Sequence, residues 1–127
     1  MGTHWFVPEA WQVRRADMHA MESIGWEFPD LLRSVDAVLT KPGYGTFTEA
    51  ACNGTAVLYQ RRDDWPEQDC LIEWLQAHGR SAEVTARELE TGTMATALAA
   101  CLQATAPPLP TTDGIEAAAR HLADRLG

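Results

Sequence analysis

Residues 36–59 read DAVLTKPGYGTFTEAACNGTAVLY. Residues 37–40 are a short, apolar, partly β-branched run, as expected of a strand buried in a parallel sheet. Lys41, Pro42, Gly43 and Gly45 then break the pattern with turn-forming residues. From residue 46 to 53 the spacing predicts a helix, stopped by Gly54. Residues 55–59 are a second buried strand. Strand, helix, strand in this rhythm implies an α/β fold, a parallel sheet covered by helices. In such sheets ligands bind at the carboxyl ends of strands, which is where residues 41–46 fall.

Working outward, residues 4–7 read as a short strand ended by Pro8, and 18–25 as a strand or irregular extended segment. Phe28-Pro29-Asp30 starts a helix running through Leu31, Leu32 and Val35, since proline suits a first turn and aspartate its positive end. Residues 67–78 form an amphipathic helix with Leu71, Ile72, Trp74 and Leu75 inward and Gly79 as its stop. Residues 80–84 read as an edge strand. Thr85 and Glu88 form a capping box for a helical region, 86–104, interrupted at Gly92. Residues 107–110 (PPLP) are a stiff connector, and Asp113 and Glu116 open a last helix over 114–126. At 127 residues the expectation is one domain, 1–127.

Lys plus Arg number 10 and Asp plus Glu 18, a net charge of −8, which argues against a nucleic-acid partner. It does not exclude a phosphorylated small molecule held locally by helix-start amides. Three widely spaced cysteines (Cys52, Cys70, Cys101) without CxxC point to free, mostly buried thiols and a cytoplasmic location. His4, His19, His78 and His121 fall at no metal-ligand spacing, so no metal site is expected, and no cofactor. No apolar run has the length of a transmembrane segment, and the N-terminus lacks the basic-then-apolar order of a secretory signal.

Two readings of residues 41–49 use the same atoms. In the structural one, Thr46 and Glu49 are a capping box and the glycines shape the turn. In the functional one, Gly43 and Gly45 let a ligand approach the backbone. The amides of Gly45, Thr46 and Phe47 face an anion, aided by the helix dipole. Thr46 donates its hydroxyl to a phosphate oxygen, Lys41 adds charge, and Glu49 accepts from vicinal hydroxyls such as those of a ribose. Neither GxxxxGK[ST] nor GxGxxG is present.

The longer stretch DAVLTKPGYGTFTEAACNGTAVLYQRRDDWPEQ, residues 36–68, resembles the nucleotide-sugar-binding signature of C-terminal domains of GT-B glycosyltransferases. The similarity is to the branch of the peptidoglycan N-acetylglucosaminyltransferase and the UDP-glucosyltransferases. It is closer still to the glycosyltransferase-like domain fused to arabinokinase-type sugar kinases. The elements that carry it are Gly43-Tyr44-Gly45-Thr46, Glu49, Asn53-Gly54, the strand 55–59 and Glu67-Gln68. It covers residues 25–85 well and the later helices loosely.

The resemblance implies a Rossmann-like sheet in which Gly45 and Thr46 hold the diphosphate and Glu49 the ribose. Glu67 and Gln68 would hold the sugar, and Trp26 or Phe28 would lie against the base. The ligand it implies is a UDP-sugar, and the activity transfer of a hexosyl group. The chain departs from the pattern in having Lys41 where many plant-type relatives have His, and Glu67 for the commoner Asp. Against that pattern it is expected to lack the extra strand and helix with which a full GT-B C-domain begins, and the N-terminal acceptor domain that usually supplies the general base. No catalytic residue is therefore assigned, and the chain alone is expected to bind rather than catalyse. Asp63, Asp64 and His78 read as solvated or structural.

Trp65, in the polar loop, is a candidate to stack on a sugar face, to fold back on the core or to meet a partner domain. Trp5 and Trp11 are candidates for an apolar patch or homodimer contact. Arg61 and Arg62 either face the diphosphate, stay solvated or pair with Asp63 and Asp64. Three other functions remain open. They are a non-catalytic ligand-sensing module, a nucleotide-sugar 2-epimerase-type fragment, and a degenerate fragment in which the motif survives only as a cap.

Overall fold

A computed structural model describes residues 2–127. The chain is α/β, with two small parallel sheets and helices around them, and it divides into two compact units. The first ends at Leu31 and the second runs from Leu32 to Gly127.

In the first unit, β1 (Trp5–Val7) and β2 (Met18–Ala20) pair in parallel, with Phe6 opposite His19. His4 Nδ1 lies 3.1 Å from His19 Nε2. Residues 21–24, left between strand and irregular by the sequence, form a short 3-10 turn after β2. The helix α1 (Phe28–Leu32) starts where Phe28-Pro29-Asp30 predicts, but ends before Val35 rather than running through it.

The second unit carries β3 (Ala37–Thr40), β4 (Ala56–Tyr59) and β5 (Ser81–Glu83), parallel and in that order, with Ala37 opposite Ala56 and Val57 opposite Ser81. All four residues of β4 are buried, as a central strand covered on both faces requires. On one face lie Phe47, Ala50 and Ala51 of α2 (Tyr44–Cys52) and Leu71, Ile72 and Leu75 of α3 (Gln68–His78), packed with Val57 and Tyr59. On the other, Ala56 and Leu58 pack with Val84, Cys101 and the partly buried Leu98, the last two from α5 (Ala95–Gln103). Alternation of side chains along β4 sends odd and even residues to these two layers.

Helix ends follow the chemistry of their sequence. Gly54, at φ 71°, takes the left-handed conformation that ends α2 and lets Thr55 N–H reach Ala50 O at 2.9 Å. The capping box at α4 (Ala86–Thr91) forms in both directions, Glu88 N–H to Thr85 Oγ1 at 3.2 Å and Thr85 N–H to Glu88 Oε2 at 2.7 Å. The α6 helix (Gly114–Leu126) has the expected bounds, but Asp113 makes no side-chain cap. Of the three thiols only Cys101 is buried. Cys70 is exposed, because it sits on the outer face of α3 beside Asp69, against the expectation of mostly buried thiols. Among the described residues no helix is long and apolar enough to cross a membrane.

Candidate functional site

The candidate site lies at the carboxyl end of β3. Pro42 is fully buried and seats the turn, and Gly43 precedes α2 in extended backbone. The helix begins at Tyr44, two residues before the predicted start. That shift overturns the predicted capping box: Thr46 lies inside the first turn, and no side chain caps this end of α2. The reason is local. Phe47 N–H already donates to Gly43 O at 3.1 Å, closing the first helical turn ahead of Thr46. Thr48 Oγ1 reinforces it by donating to Tyr44 O at 2.6 Å.

The same shift changes which amides are free. Phe47 N–H, expected to face an anion, is committed to Gly43. The amides of Tyr44, Gly45 and Thr46 are the ones left without an intrahelical acceptor. These donors and the helix dipole favour a negative charge here. Gly45 is exposed, and a Cβ built there would meet nothing within 4 Å. Packing thus gives no reason for glycine at a helical position where it costs up to about 1 kcal/mol against alanine. Its absence of side chain keeps the backbone open. Lys41 is exposed on the turn just before this helix start, and among the described residues its side chain makes no ion pair.

Farther along the helix lies Glu49. Its Oε2 is buried and has no hydrogen-bond partner. A buried carboxylate oxygen without a partner is costly, and only one other described side-chain atom, Arg80 Nε, shares that condition. The rest of the Arg80 guanidinium is engaged, donating to Gly54 O and Leu102 O at 3.0 Å each.

The loop over residues 61–67 faces the start of α2. Tyr44 Oη donates to Glu67 Oε2 at 2.7 Å. The Tyr44 ring meets Trp65 edge-on, centroids 5.5 Å apart, and the Arg62 guanidinium lies 5.2 Å from the centre of the Trp65 ring. Trp65 packs against the core as well, so its ring is engaged on several sides. Gln68 is buried. Its Oε1 accepts from Arg62 N–H at 2.8 Å and its Nε2 donates to Arg62 O at 2.6 Å, clamping the base of the loop. Arg61 pairs with Asp69 and with Glu83, and Arg62 lies 3.7 Å from Asp64. Among the described residues Asp64 is thus the only loop aspartate so engaged; Arg61 reaches instead to α3 and β5.

Of the residues singled out from sequence, Lys41, Gly43, Gly45, Thr46 and Glu49 fall on one turn and the helix after it, and Tyr44 ties Glu67 and Trp65 to that helix start. Trp26 and Phe28 belong to the first unit, where both are exposed, 57% and 46%. Sequence reasoning missed Tyr44. The signal that could have found it is an aromatic hydroxyl wedged between two glycines at a helix start. Among the described residues no cluster of three or more His, Cys, Asp or Glu is arranged to hold a metal ion.

The Tyr44–Glu67 bond has a spectroscopic consequence. The carboxylate beside Tyr44 holds its phenol above the ordinary tyrosine range, first by accepting its hydrogen bond. Burial, with Glu83 nearby, does the same to Tyr59. Both folded-state values are raised, so this interaction supports the fold below the ordinary tyrosine pKa and is lost as pH rises through the folded one. The chain has two tyrosines, which makes the titration readable by absorbance. Glu67→Gln is expected to return one phenol toward the ordinary range and leave the other. An unchanged two-tyrosine titration would show that the bond is not held in solution. No protein-family model, curated protein or solved structure matches the chain.

Proposed function

We propose that residues 32–127 form a nucleotide-sugar-binding domain of the GT-B glycosyltransferase type, with a UDP-sugar as ligand. The observation that carries this reading is the pairing, on one helix, of an uncapped N-terminus with the unpartnered Oε2 of Glu49. Glu49 lies five residues beyond Tyr44, about 7.5 Å along the helix axis. That is the order of separation between a diphosphate and the ribose diol that follows it. The amides of Tyr44, Gly45 and Thr46 with Lys41 take the diphosphate, and Glu49 takes the ribose hydroxyls. The resemblance of residues 36–68 to the GT-B signature supports the same assignment.

In glycosyl transfer the diphosphate gathers charge as the sugar departs, and preformed amides at the helix start stabilise that charge. The acceptor and its general base would come from a separate domain or chain. Binding without transfer is accordingly the activity expected of residues 32–127.

The test is thermal unfolding with and without millimolar UDP. At about 100 times its dissociation constant, UDP is expected to add roughly 2.7 kcal/mol, and Glu49→Ala to remove most of that gain. Absence of any shift in the wild type would overturn the reading.

A further inference from the structure

We propose that Tyr44 is a positioning residue that fixes Glu67 beside the start of α2, so that the adjoining subsite takes a neutral hexose and rejects a hexuronic acid. This rests on the nucleotide-sugar reading above and specifies its sugar. Three observations lead to it. First, Tyr44 is the first residue of α2, and its hydroxyl reaches Glu67 at 2.7 Å. The Glu67 carboxylate therefore stands within one tyrosine side chain of the free amides. A sugar attached to a diphosphate at those amides must pass near it.

Second, the loop is built before any ligand arrives. Gln68 clamps Arg62 through two hydrogen bonds, Arg62 covers Trp65, and Trp65 packs on the core and on Tyr44. Glu67 is thus held by Tyr44 on a loop braced at Arg62, Trp65 and Gln68, which lowers the ordering cost of each bond it makes to a ligand. Tyr44 occupies part of one oxygen, Oε2, leaving Oε1 and the remaining lone pair to accept from sugar hydroxyls.

Third, the loop is acidic where it is not neutralised. Arg61 is committed to Asp69 and Glu83, and Arg62 to Asp64. No cation is paired with Asp63 or Glu67 among the described residues. Hydroxyl groups are good donors to such a carboxylate, whereas a sugar carboxylate brought to it meets like charge, the Lys41 ammonium being taken up by the diphosphate.

The experiment is calorimetric titration of the full chain with UDP, UDP-glucose and UDP-glucuronate, for the wild type, Glu67→Gln and Tyr44→Phe. The wild type is expected to prefer UDP-glucose over UDP-glucuronate by about tenfold. Glu67→Gln should shrink that preference to about twofold or less. Tyr44→Phe keeps the ring against Trp65 and the backbone amide but releases Glu67. The ratio of UDP-glucose to UDP affinity should fall about fivefold, and the discrimination against UDP-glucuronate with it.

Equal wild-type affinity for the two sugars would overturn the proposal. So would a Tyr44→Phe variant that loses the same factor for all three ligands, since that is what a merely structural tyrosine would do. Binding of UDP with no sugar discrimination leaves the nucleotide-sugar reading standing and removes only this inference. Absence of UDP binding to the wild type removes both.

Discussion

Phe47→Ala is expected to lower the unfolding free energy by about 3–5 kcal/mol, the largest single effect anticipated here. Phe47 is wholly buried in α2 at the centre of the cluster formed by Leu32, Val57, Tyr59, Leu71, Ile72 and Leu75. Its ring meets Tyr59 at 5.8 Å and 63°, an edge-on contact that fixes α2 against β4. Truncation removes the apolar burial and leaves a cavity walled by two helices and a strand, which can close only in part. Small domains have total stabilities of about 5–15 kcal/mol, so the variant is expected to lie near the edge of folding. Urea unfolding measures the loss as a lower midpoint at constant slope. A loss under about 1 kcal/mol would mean that α2 is not seated on β4 through this ring. Because α2 also carries the candidate anion site, a folded Phe47→Ala protein should bind UDP more weakly.

Glu49→Met is expected to act in the opposite direction on stability and to abolish nucleotide binding. The Oε2 of Glu49 is buried without a hydrogen-bond partner, and a buried acceptor without a donor costs about 1–3 kcal/mol. The residue as a whole is half-buried and keeps access to solvent, which places the gain on replacement at the low end, about 1 kcal/mol. Methionine has the same length, an apolar end and a high helix propensity, so burial improves without a packing penalty. Chemical denaturation in buffer alone should show a higher midpoint, and the same experiment with UDP should show no further rise. A stabilised variant that has lost its ligand is the signature of a binding residue maintained at a cost to the fold. If Glu49→Met were instead destabilised in buffer, the carboxylate would be serving the fold, and the nucleotide reading would lose its main support.

How much of this was legible beforehand differs between elements. Positions 37–40 and 114–126 were read with the bounds they have, because the first is a compact apolar run between turn residues and the second a long uniform helix. The helix read over 67–78 from apolar periodicity starts one residue later, and the region read over 86–104 with a break at Gly92 is two helices, 86–91 and 95–103, the first opened by a capping box that forms as written. The identical logic failed at Thr46 and Glu49. A Thr-x-x-Glu spacing says only that a box can form, and the three residues before it decide whether the helix has already begun. Here Gly43 O accepts from Phe47, Tyr44 is anchored by Glu67 and Trp65, and the helix starts early. Arg61 shows the same limit, since its partners Asp69 and Glu83 come from α3 and β5.

The sequence by itself determined the local grammar. Alternating apolar strands and amphipathic helices made an α/β fold with parallel pairing, and the glycine-rich turn placed an open backbone at the end of β3. Those features depend on neighbours a few residues apart, which periodicity and turn chemistry encode directly. Only the tertiary structure decided the rest. It divided the chain at Leu31, with one parallel sheet in each unit. It left Glu49 Oε2 buried and unpaired, and it joined Tyr44 to Glu67 across 23 positions of chain. Burial and long-range hydrogen bonds depend on which surfaces meet, and no spacing rule within one segment carries that information.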